Sequence, residues 1–478
     1  MTRLIGLDVG TTSVKGIAID PTGSVVHVAE RGYPLSTPRP GWSEQDPDDW
    51  WRAAAEVLDE CDADRALGIG LSGQMHGLVA LDGKDRPLRP AILWNDGRTQ
   101  KQCDEIEARV GRERLIELTG NRALAGFTAP KLLWMREEEP DNYERIRSIL
   151  LPKDYVRLRL CDEHAIDVAD ASGTLLFDVA QRRWSDEVLD ALEIDRAWLP
   201  RVAESPDVAG ETHGGAPVAA GAGDQAAGAL GVGVVAEGGP ASIVLGTSGV
   251  VFAALDHYAA DPEGRLHAFC HAVPDAWHVM GVMLSAAGSL RWLRDTLGGD
   301  VDYDALLADA ARWEPGAEGL FFAPYLAGER TPYPDPDARG AFVGLGLRHD
   351  RGALARAVLE GVAFGLRDAL DLVAEMGGKP ASGRVSGGGG RGSLWLEIVA
   401  SVLDLPLEVT RADEGAAYGA ALLGGVAAGV WGDAREAVRA CVQVTRTIEP
   451  RAEWAERYAE LQPAFRRVYP ALRAARGD

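Results

Sequence analysis

Two aspartates are candidates for chemistry because of the residues that surround them in the sequence. The first, Asp8, interrupts the apolar run Leu4 to Val9, which is typical of a buried strand. A buried carboxylate is costly unless a cation meets it. Because phosphoryl transfer requires a divalent cation beside the phosphates, Asp8 is a candidate metal ligand. Its alternative role is to cap the following turn.

A turn rich in glycine and hydroxyl groups follows Asp8, in the sequence LDVGTTSVK. Glycine lets consecutive backbone amides point at one anion, and hydroxyl side chains add donors, so such a turn can hold phosphate. For one turn, an ordinary hairpin is the alternative. A similar strand, turn and strand from Ser242 to Leu255 favours the phosphate interpretation. The candidate residues are Thr11, Thr12, Ser13, Gly246, Thr247 and Ser248, with Lys15 as an added cation or a solvated strand residue.

The second aspartate, Asp224, lies in AAGAGDQAAGALG, where nearly all its neighbours are Ala or Gly. Small neighbours let other groups approach closely, and the following helix N-terminus stabilises the charge. A carboxylate within hydrogen-bond reach of an alcohol can accept its proton as the alcohol attacks a phosphate. Asp224 is therefore the candidate general base. It is also expected to cap a helix that begins at Gln225.

The segment Ser72-Gly-Gln-Met-His-Gly77 follows a predicted buried strand and offers an amide and an imidazole between glycines. Such groups suit binding of the hydroxyls of a polyol. A single histidine such as His76 is more often structural, so the polyol interpretation depends on the neighbouring motifs.

Strands and turns must bring these residues together. Strands are predicted from Arg3 to Val9, Val14 to Asp20 and Ser24 to Arg31 as an antiparallel meander, followed by a helix that starts at Asp46-Pro47. Because the pattern recurs near Ser242, we expect an α/β protein with two related lobes whose turns face one cleft. A shift to small residues near Pro217 predicts lobes at 1–216 and 217–478. A long helix is expected from Asp350 to Met376.

The composition of the chain limits the classes of function that it can have. The chain has 478 residues, enough for two domains, and 49 basic against 72 acidic side chains give a net charge of −23. This charge repels phosphate backbones and argues against a nucleic-acid partner. No segment reads as a secretory signal or a membrane span, so a cytoplasmic location without a membrane partner is expected. The five scattered cysteines are typical of reduced thiols.

A run of glycines supports a competing interpretation. Gly387, Gly389 and Gly392 satisfy G-x-G-x-x-G between a predicted strand and a helix, which would suit a Rossmann nucleotide-binding enzyme. That interpretation leaves the paired Gly-Thr turns unexplained. A glycine surface for an adenosine fits both observations.

The motifs together resemble those of the FGGY carbohydrate kinases along nearly the whole chain. The resemblance rests on GLDVGTTSVK, WSEQDPDDWW, LSGQMHG, PAILWNDGRT, GFTAPKLLW, LPKDYVRLRL, AGAGDQAAGALGVG, LGTSGV, YLAGERTP and SGGGGRG. GQMHG, WNDGR and LPKDY are typical of the branch that phosphorylates the ketose D-xylulose.

The resemblance implies two ribonuclease-H-like lobes, of the actin and Hsp70 type, that close on ATP and a sugar. By position it implies Asp224 as the base, Asp8 as the acid that helps hold Mg²⁺, and a share for Asp224 in the metal site. Met75, His76 and Gln225 correspond to sugar-binding residues, although many members carry Asn at position 225. Gly387, Gly388 and Gly389 correspond to the loop beside the adenosine. A homodimer is expected from the resemblance alone.

Two alternatives stay open at the level of sequence. One is a kinase for another ketopentose or an alditol, such as ribulose or an arabinitol, because side-chain placement decides the stereochemistry that is accepted. The other is a sugar-sensing module that binds ATP without transferring phosphate. The presence of both Asp8 and Asp224 favours an enzyme, because a binding module has no chemical need for the pair.

Overall fold

The computed structural model describes residues 3–299, 301–412 and 414–477. Its strands are β1 (Arg3–Val9), β2 (Ser13–Ile19), β3 (Val25–Gly32), β4 (Glu44–Gln45), β5 (Ala66–Gly73), β6 (Val79–Leu81), β7 (Ala91–Ile92), β8 (Ser148–Leu150), β9 (Ala165–Asp167), β10 (Phe177–Asp178), β11 (Arg183–Trp184), β12 (Arg201–Ala203), β13 (Val208–Glu211), β14 (Pro217–Ala219), β15 (Ala222–Gly223), β16 (Ala241–Leu245), β17 (Gly249–Leu255), β18 (His267–Cys270), β19 (Trp277–Met283), β20 (Phe321–Ala323), β21 (Ala341–Val343), β22 (Gly383–Ser386), β23 (Leu407–Thr410) and β24 (Val444–Ile448).

The α-helices follow or precede these strands along the chain. They are α1 (Pro47–Glu60), α2 (Gln100–Val110), α3 (Arg112–Thr119), α4 (Thr128–Glu138), α5 (Pro140–Tyr143), α6 (Pro152–Cys161), α7 (Val168–Ser172), α8 (Asp186–Leu192), α9 (Asp224–Gly231), α10 (Ala287–Thr296), α11 (Tyr303–Ala310), α12 (Arg351–Glu375), α13 (Ser393–Leu403), α14 (Ala416–Ala427), α15 (Ala434–Cys441), α16 (Ala452–Arg466) and α17 (Val468–Arg476).

The first seven-stranded sheet is built around β1. Strand β1 pairs antiparallel with β2 and parallel with β5, and β3 extends the sheet beyond β2, so the predicted meander is confirmed. Helix α1 begins where the sequence predicts: Pro47 is its first residue, and the Asp46 carboxylate accepts a hydrogen bond from the amide of Asp48 at 3.0 Å.

The second seven-stranded sheet repeats this arrangement around β16. Strand β16 pairs antiparallel with β17 and parallel with β22, as β1 does with β2 and β5. In each lobe the first antiparallel hairpin contains one of the two Gly-Thr turns. The two-lobed α/β fold with a repeated unit is therefore confirmed. The long α12 lies within the predicted range and packs against the second sheet.

The two halves of the chain interlock through α14. This helix comes from the second half but packs against β1 and β5 of the first sheet. Glycines make the close approach possible, since a Cβ on Gly6 would lie 2.0 Å from the carbonyl oxygen of Ala417, and one on Gly70 would lie 1.8 Å from that of Ala420. Strands β14 and β15 also pair in the first sheet, with β5. The lobe ranges 1–216 and 217–478 stay a prediction.

In the parts of the chain that are described, no helix combines the length and apolar character needed to cross a bilayer. The five cysteines are buried and free.

Candidate active site

Asp8 is the last but one residue of β1, at the edge of the sheet where the chain enters the first Gly-Thr turn. Burial raises the pKa of its carboxyl group to about 6, although the neighbouring Ser72 hydroxyl and then the charge of Lys15 act in the opposite direction. Its Oδ1 atom is buried and has no hydrogen-bond partner among the described residues. A buried polar atom without a protein partner is commonly satisfied by water, an ion or a ligand.

Asp224 lies at the junction of β15 and α9, which brings it from the second predicted lobe to the edge of the first sheet. It is the first residue of α9 and Gly223 is the N-cap, so the predicted helix start at Gln225 was wrong by one residue. Burial and then the charge of Asp8 raise the pKa of Asp224 to about 7. The second cause means that the two carboxyl groups lie close enough to repel each other.

A small cavity of about 130 Å³ opens in front of Asp224. It contains Met75, His76, Gln225 and Ser248, which the sequence proposed as site residues. The rest of the lining is apolar or aromatic apart from one arginine: Trp94, Leu124, Gly126, Phe127, Val250, Met280, Val282 and Arg330. A small, mostly apolar cavity with a few polar groups at one end suits a ligand the size of a pentose.

His76 presents an acceptor to this cavity. Its Nδ1 lies 2.7 Å from the carbonyl oxygen of Gly173. Because a carbonyl only accepts, the hydrogen lies on Nδ1, and Nε2 keeps its lone pair. Burial, reinforced by the nearby charge of Lys131, lowers the pKa of His76 to about 3. The ring is therefore neutral at physiological pH and can accept a hydrogen bond from a hydroxyl group.

Gln225 and Met75 flank the Asp224 carboxylate. The side-chain amide of Gln225 donates to Asp224 Oδ1 at 3.2 Å, which restricts the rotation of the carboxylate. Met75 packs against Gly223, the residue before Asp224, since a Cβ added to Gly223 would lie 2.7 Å from Met75 Cγ. The glycine before the aspartate is therefore needed for this packing.

The second Gly-Thr turn separates the small cavity from a larger one. Gly246 and Thr247 line a cavity of about 520 Å³, whereas the next residue, Ser248, lines the small cavity. The turn is held against the start of α10, because the amide of Ala286 donates to the carbonyl oxygen of Thr247 at 2.8 Å. One turn of backbone thus borders both cavities.

The glycine run after β22 lines the larger cavity. Gly388 and Gly389 face it, together with Gly392. Gly387 has a φ of +88°, and a Cβ there would lie 2.8 Å from the backbone carbon of Leu245, so this position requires glycine. The other lining residues are Leu245, Ala287, Gly288, Leu290, Arg291, Tyr303, Asp304, Leu307 and Trp395. A still larger groove of about 890 Å³ beside α17 includes none of the predicted site residues.

The first Gly-Thr turn lies beside Trp94 of the small cavity, and Thr11, Ser13 and Lys15 have protein partners. Thr11 Oγ1 accepts a hydrogen bond from Trp94 Nε1 at 3.0 Å. Ser13 donates to Glu30 at 2.6 Å, and Lys15 forms an ion pair with Glu414. Among the described residues that line the two cavities, Thr11, Thr12, Ser13 and Lys15 are absent.

Sequence reasoning did not assign Arg330, Phe127 and Lys131. Arg330 belongs to YLAGERTP, and the other two belong to GFTAPKLLW. Both motifs contribute to the family resemblance, but the sequence assigns no role to these three residues within them. The signal that singles these residues out is burial: a cation such as Arg330 in a cavity wall, or Lys131 with no exposed area, is rare unless it has a function or an ion pair. Burial of this kind depends on tertiary packing.

The two carboxylates fit a divalent cation. Asp8 carries a buried oxygen without a partner, and it lies close enough to Asp224 to raise the pKa of that group. Carboxylate oxygens are the ligands that Mg²⁺ prefers, and a cation between the two groups would relieve their repulsion.

This two-lobed α/β protein has a carboxylate of a close pair in a small cavity, and a glycine-lined cavity lies on the other side of the second Gly-Thr turn, which is the architecture of a phosphotransferase. The models of the FGGY family of carbohydrate kinases match this chain, the N-terminal domain at residues 3–231 and the C-terminal domain at residues 241–428. The chain belongs to this family and is an ATP-dependent sugar kinase. The Rossmann interpretation of the glycine run is therefore wrong.

Curated relatives and solved structures cover the chain almost completely. The xylulose kinase of Escherichia coli K12 is 43% identical over 98% of this chain and 99% of its own length. The xylulose kinase of Lactococcus lactis is 39% identical over 98% of this chain and 97% of its own length. A crystal structure of a "xyloylose kinase" from Brucella ovis is 41% identical, with a TM-score of 0.94 over 99% of this chain and 100% of that one.

Proposed function

We propose that this kinase transfers the γ-phosphoryl group of ATP to the terminal C5 hydroxyl of D-xylulose and so forms D-xylulose 5-phosphate in pentose catabolism. The observation that carries the proposal is the second Gly-Thr turn. Thr247 borders the larger cavity and Ser248 borders the small one that contains Asp224. A nucleotide in the first cavity can therefore extend its phosphates toward a hydroxyl in the second. The names of the full-length relatives support xylulose as the sugar.

Asp224 is proposed as the general base. Its pKa of about 7 lies near the working pH, which suits a group that must accept a proton and later release it. The amide of Gln225 orients the carboxylate toward the cavity. Met75, His76 and Gln225 would position the sugar, with neutral His76 accepting from one of its hydroxyl groups.

Mg²⁺ is proposed as the metal ion, held by Asp8 and Asp224 directly or through water. When bound, it neutralises charge on the phosphate oxygens. Asp8 contributes an otherwise unpartnered buried oxygen to this site. The same cation would lower the pKa of Asp224 and keep more of it ionised.

ATP is proposed to lie with its adenosine on the glycine surface of Gly387, Gly388 and Gly389 and its phosphates between the two Gly-Thr turns. Gly246, Thr247 and Ser248 provide amides and hydroxyl groups from one side. Thr11, Thr12, Ser13 and Lys15 would do so from the other side. For Ser13 and Lys15 this requires exchange of their present partners, Glu30 and Glu414, for phosphate.

A cytoplasmic location is proposed because the reaction consumes ATP, and the buried free thiols suit a reducing compartment. A homodimer also stays a proposal.

A panel of sugars tests the substrate. The expected result is the highest kcat/KM for D-xylulose among D-xylulose, D- and L-ribulose, xylitol and D-arabinitol, with a product whose phosphorus couples to the C5 protons in a ³¹P–¹H NMR spectrum. A higher kcat/KM for another ketose or an alditol would contradict the choice of sugar. Phosphate on another carbon would contradict the geometry.

A further inference from the structure

A lysine is buried next to the small cavity without a carboxylate partner. Lys131 lies in the second turn of α4 and has no exposed area. Its Nζ donates to the backbone carbonyl oxygens of His76 at 2.8 Å and of Gly126 at 2.7 Å. No carboxylate of the described residues forms an ion pair with it, and burial holds the pKa of Lys131 well below its usual value. An amine in this environment is costly, so its two hydrogen bonds need an explanation.

Both carbonyls belong to residues that line the small cavity. His76 contributes its ring on one side, and Gly126 and Phe127 form the facing wall. The two walls touch, since the rings of His76 and Phe127 meet edge to face with centroids 4.6 Å apart. Lys131 therefore connects the backbone of one wall with the backbone of the other.

The backbone of His76 needs support. Its φ is +68°, a left-handed conformation that non-glycine residues rarely adopt. Its carbonyl oxygen accepts a second side-chain hydrogen bond, from Thr128 Oγ1 at 3.1 Å, so two donors from α4 hold one strained peptide. On the other side of the residue, Gly173 accepts from the ring.

We propose that Thr128 and Lys131 are positioning residues of the sugar site: they hold His76 in its left-handed conformation and so fix its ring where it meets the substrate. Neither is among the cavity-lining residues, so they act through His76. This inference rests on the proposed function. If Thr128 and Lys131 were purely structural, their substitution would lower the stability of the protein and would not change KM for the sugar more than KM for ATP.

Matched substitutions of Thr128 separate the two roles. Thr128→Val replaces the hydroxyl by a methyl group of similar size, and Thr128→Ser keeps the hydroxyl. We expect the valine variant to raise KM for D-xylulose three- to tenfold, with KM for ATP and sugar-independent ATP hydrolysis within a factor of two of the parent. The serine variant should return KM for the sugar to near the parent value. Equal changes in both KM values, or a changed Tm with unchanged sugar KM, would overturn the proposal.

Lys131→Met removes the amine and keeps the length of the side chain. We expect a larger effect than for Thr128→Val: kcat/KM for D-xylulose should fall at least thirtyfold. As with Thr128→Val, the sugar should be affected more than ATP. If Lys131→Met fails to fold, the comparison of Thr128→Val with Thr128→Ser still tests the proposal.

Crystal structures of the Thr128→Val and Thr128→Ser chains provide a measurement that does not depend on the identity of the sugar. The expected result is that His76 leaves positive φ, or its ring leaves the cavity, in the valine variant and not in the serine variant. An unmoved His76 in the valine variant would overturn the proposal even if no sugar in the panel is phosphorylated. If no sugar in the panel is phosphorylated but His76 moves as expected, only the proposed function is contradicted.

Discussion

Ionisation of Asp8 and Asp224 lowers the free energy of unfolding. Both carboxyl groups have a pKa that burial raises above its usual value, to about 6 and about 7, and the charge of Asp8 further raises the pKa of Asp224. A carboxyl group whose pKa is raised by folding binds its proton more tightly in the native state than in the unfolded chain. The native state therefore loses stability as pH rises from the unfolded pKa toward the native one. A site selected for activity commonly carries such a cost.

Asp224→Asn is expected to stabilise the metal-free protein in a pH-dependent way. At pH 4 the native carboxyl group is neutral, so the unfolding free energies of parent and variant should be similar. By pH 8 the variant should be more stable by about 2 kcal/mol, less than the full pKa shift implies because Asp224 is half-buried and not fully buried. Urea unfolding with EDTA between pH 4 and 8 measures this, and Asp190→Asn, on an exposed position of α8, is the control. A difference that does not grow with pH would contradict the pKa of Asp224.

Arg330 is expected to bind the sugar. Arg330 lines the small cavity, and the carboxylate of the adjacent Glu329 accepts hydrogen bonds from the backbone amides of Leu284 at 3.0 Å and Arg330 at 2.8 Å. Arg330→Met should raise KM for D-xylulose about 10- to 100-fold, the loss of one or two charge-assisted hydrogen bonds, and leave KM for ATP within twofold. The control is Arg348→Met, at a side chain that is 80% exposed. An unchanged sugar KM would remove Arg330 from the site.

The sequence made the two aspartates recognisable but not Arg330 or Lys131. Asp8 interrupts an apolar strand and Asp224 lies among Ala and Gly, so the local contrast marks both as unusual. Arg330 and Lys131 have ordinary neighbours in the chain. They become unusual only when segments that are distant in sequence bury them, and single-sequence patterns do not report tertiary burial.

The two Gly-Thr turns lie in hairpins, and the second of these turns separates the two cavities of the site. Their strands were predictable because apolar runs of five to seven residues were bounded by glycine and hydroxyl residues. The contact between the second turn and the start of α10 was not predictable, because it joins backbone amides of residues 286–288 to carbonyls of residues 246–247 regardless of side chain. The same holds for the approach of α14 to the first sheet.

Gly388→Val tests the role of the glycine run. A Cβ at Gly388 meets nothing within 4 Å and its φ is ordinary for any residue, so the substitution should leave Tm unchanged while the side chain enters the larger cavity. We expect KM for ATP to rise about tenfold, the effect of roughly 1.4 kcal/mol of lost binding, with KM for D-xylulose nearly constant. Gly214→Val, at an exposed turn, is the matched control. An unchanged KM for ATP would place the nucleotide elsewhere.

Both halves of the chain contribute residues to the small cavity. His76 and Phe127 come from the first half, and Met280 and Arg330 come from the second. The two-lobed plan was visible in the sequence because the hairpin with a Gly-Thr turn occurs twice. The return of α14 to the first sheet was not visible, because that helix is apolar and small-residue rich on every face.

Closure of the lobes on both substrates is expected, because a ligand that contacts both halves gains most when they approach, and closure excludes water. Small-angle X-ray scattering with D-xylulose and a non-hydrolysable ATP analogue should give a smaller radius of gyration than the free protein, with a smaller change for either ligand alone. Weak ATP hydrolysis without sugar is expected from the open form. An unchanged radius with both ligands would contradict closure.

The role of Asp224 as the general base is tested most directly by ADP release with ATP and Mg²⁺, with and without D-xylulose, by the parent chain and by Asp224→Asn. We expect the sugar to raise turnover many-fold in the parent and the variant to lose this increase, by a factor of about 10² to 10⁴ as expected for removal of a general base. The variant should still bind ATP. Sugar-stimulated turnover that survives in Asp224→Asn would show that Asp224 is not the base.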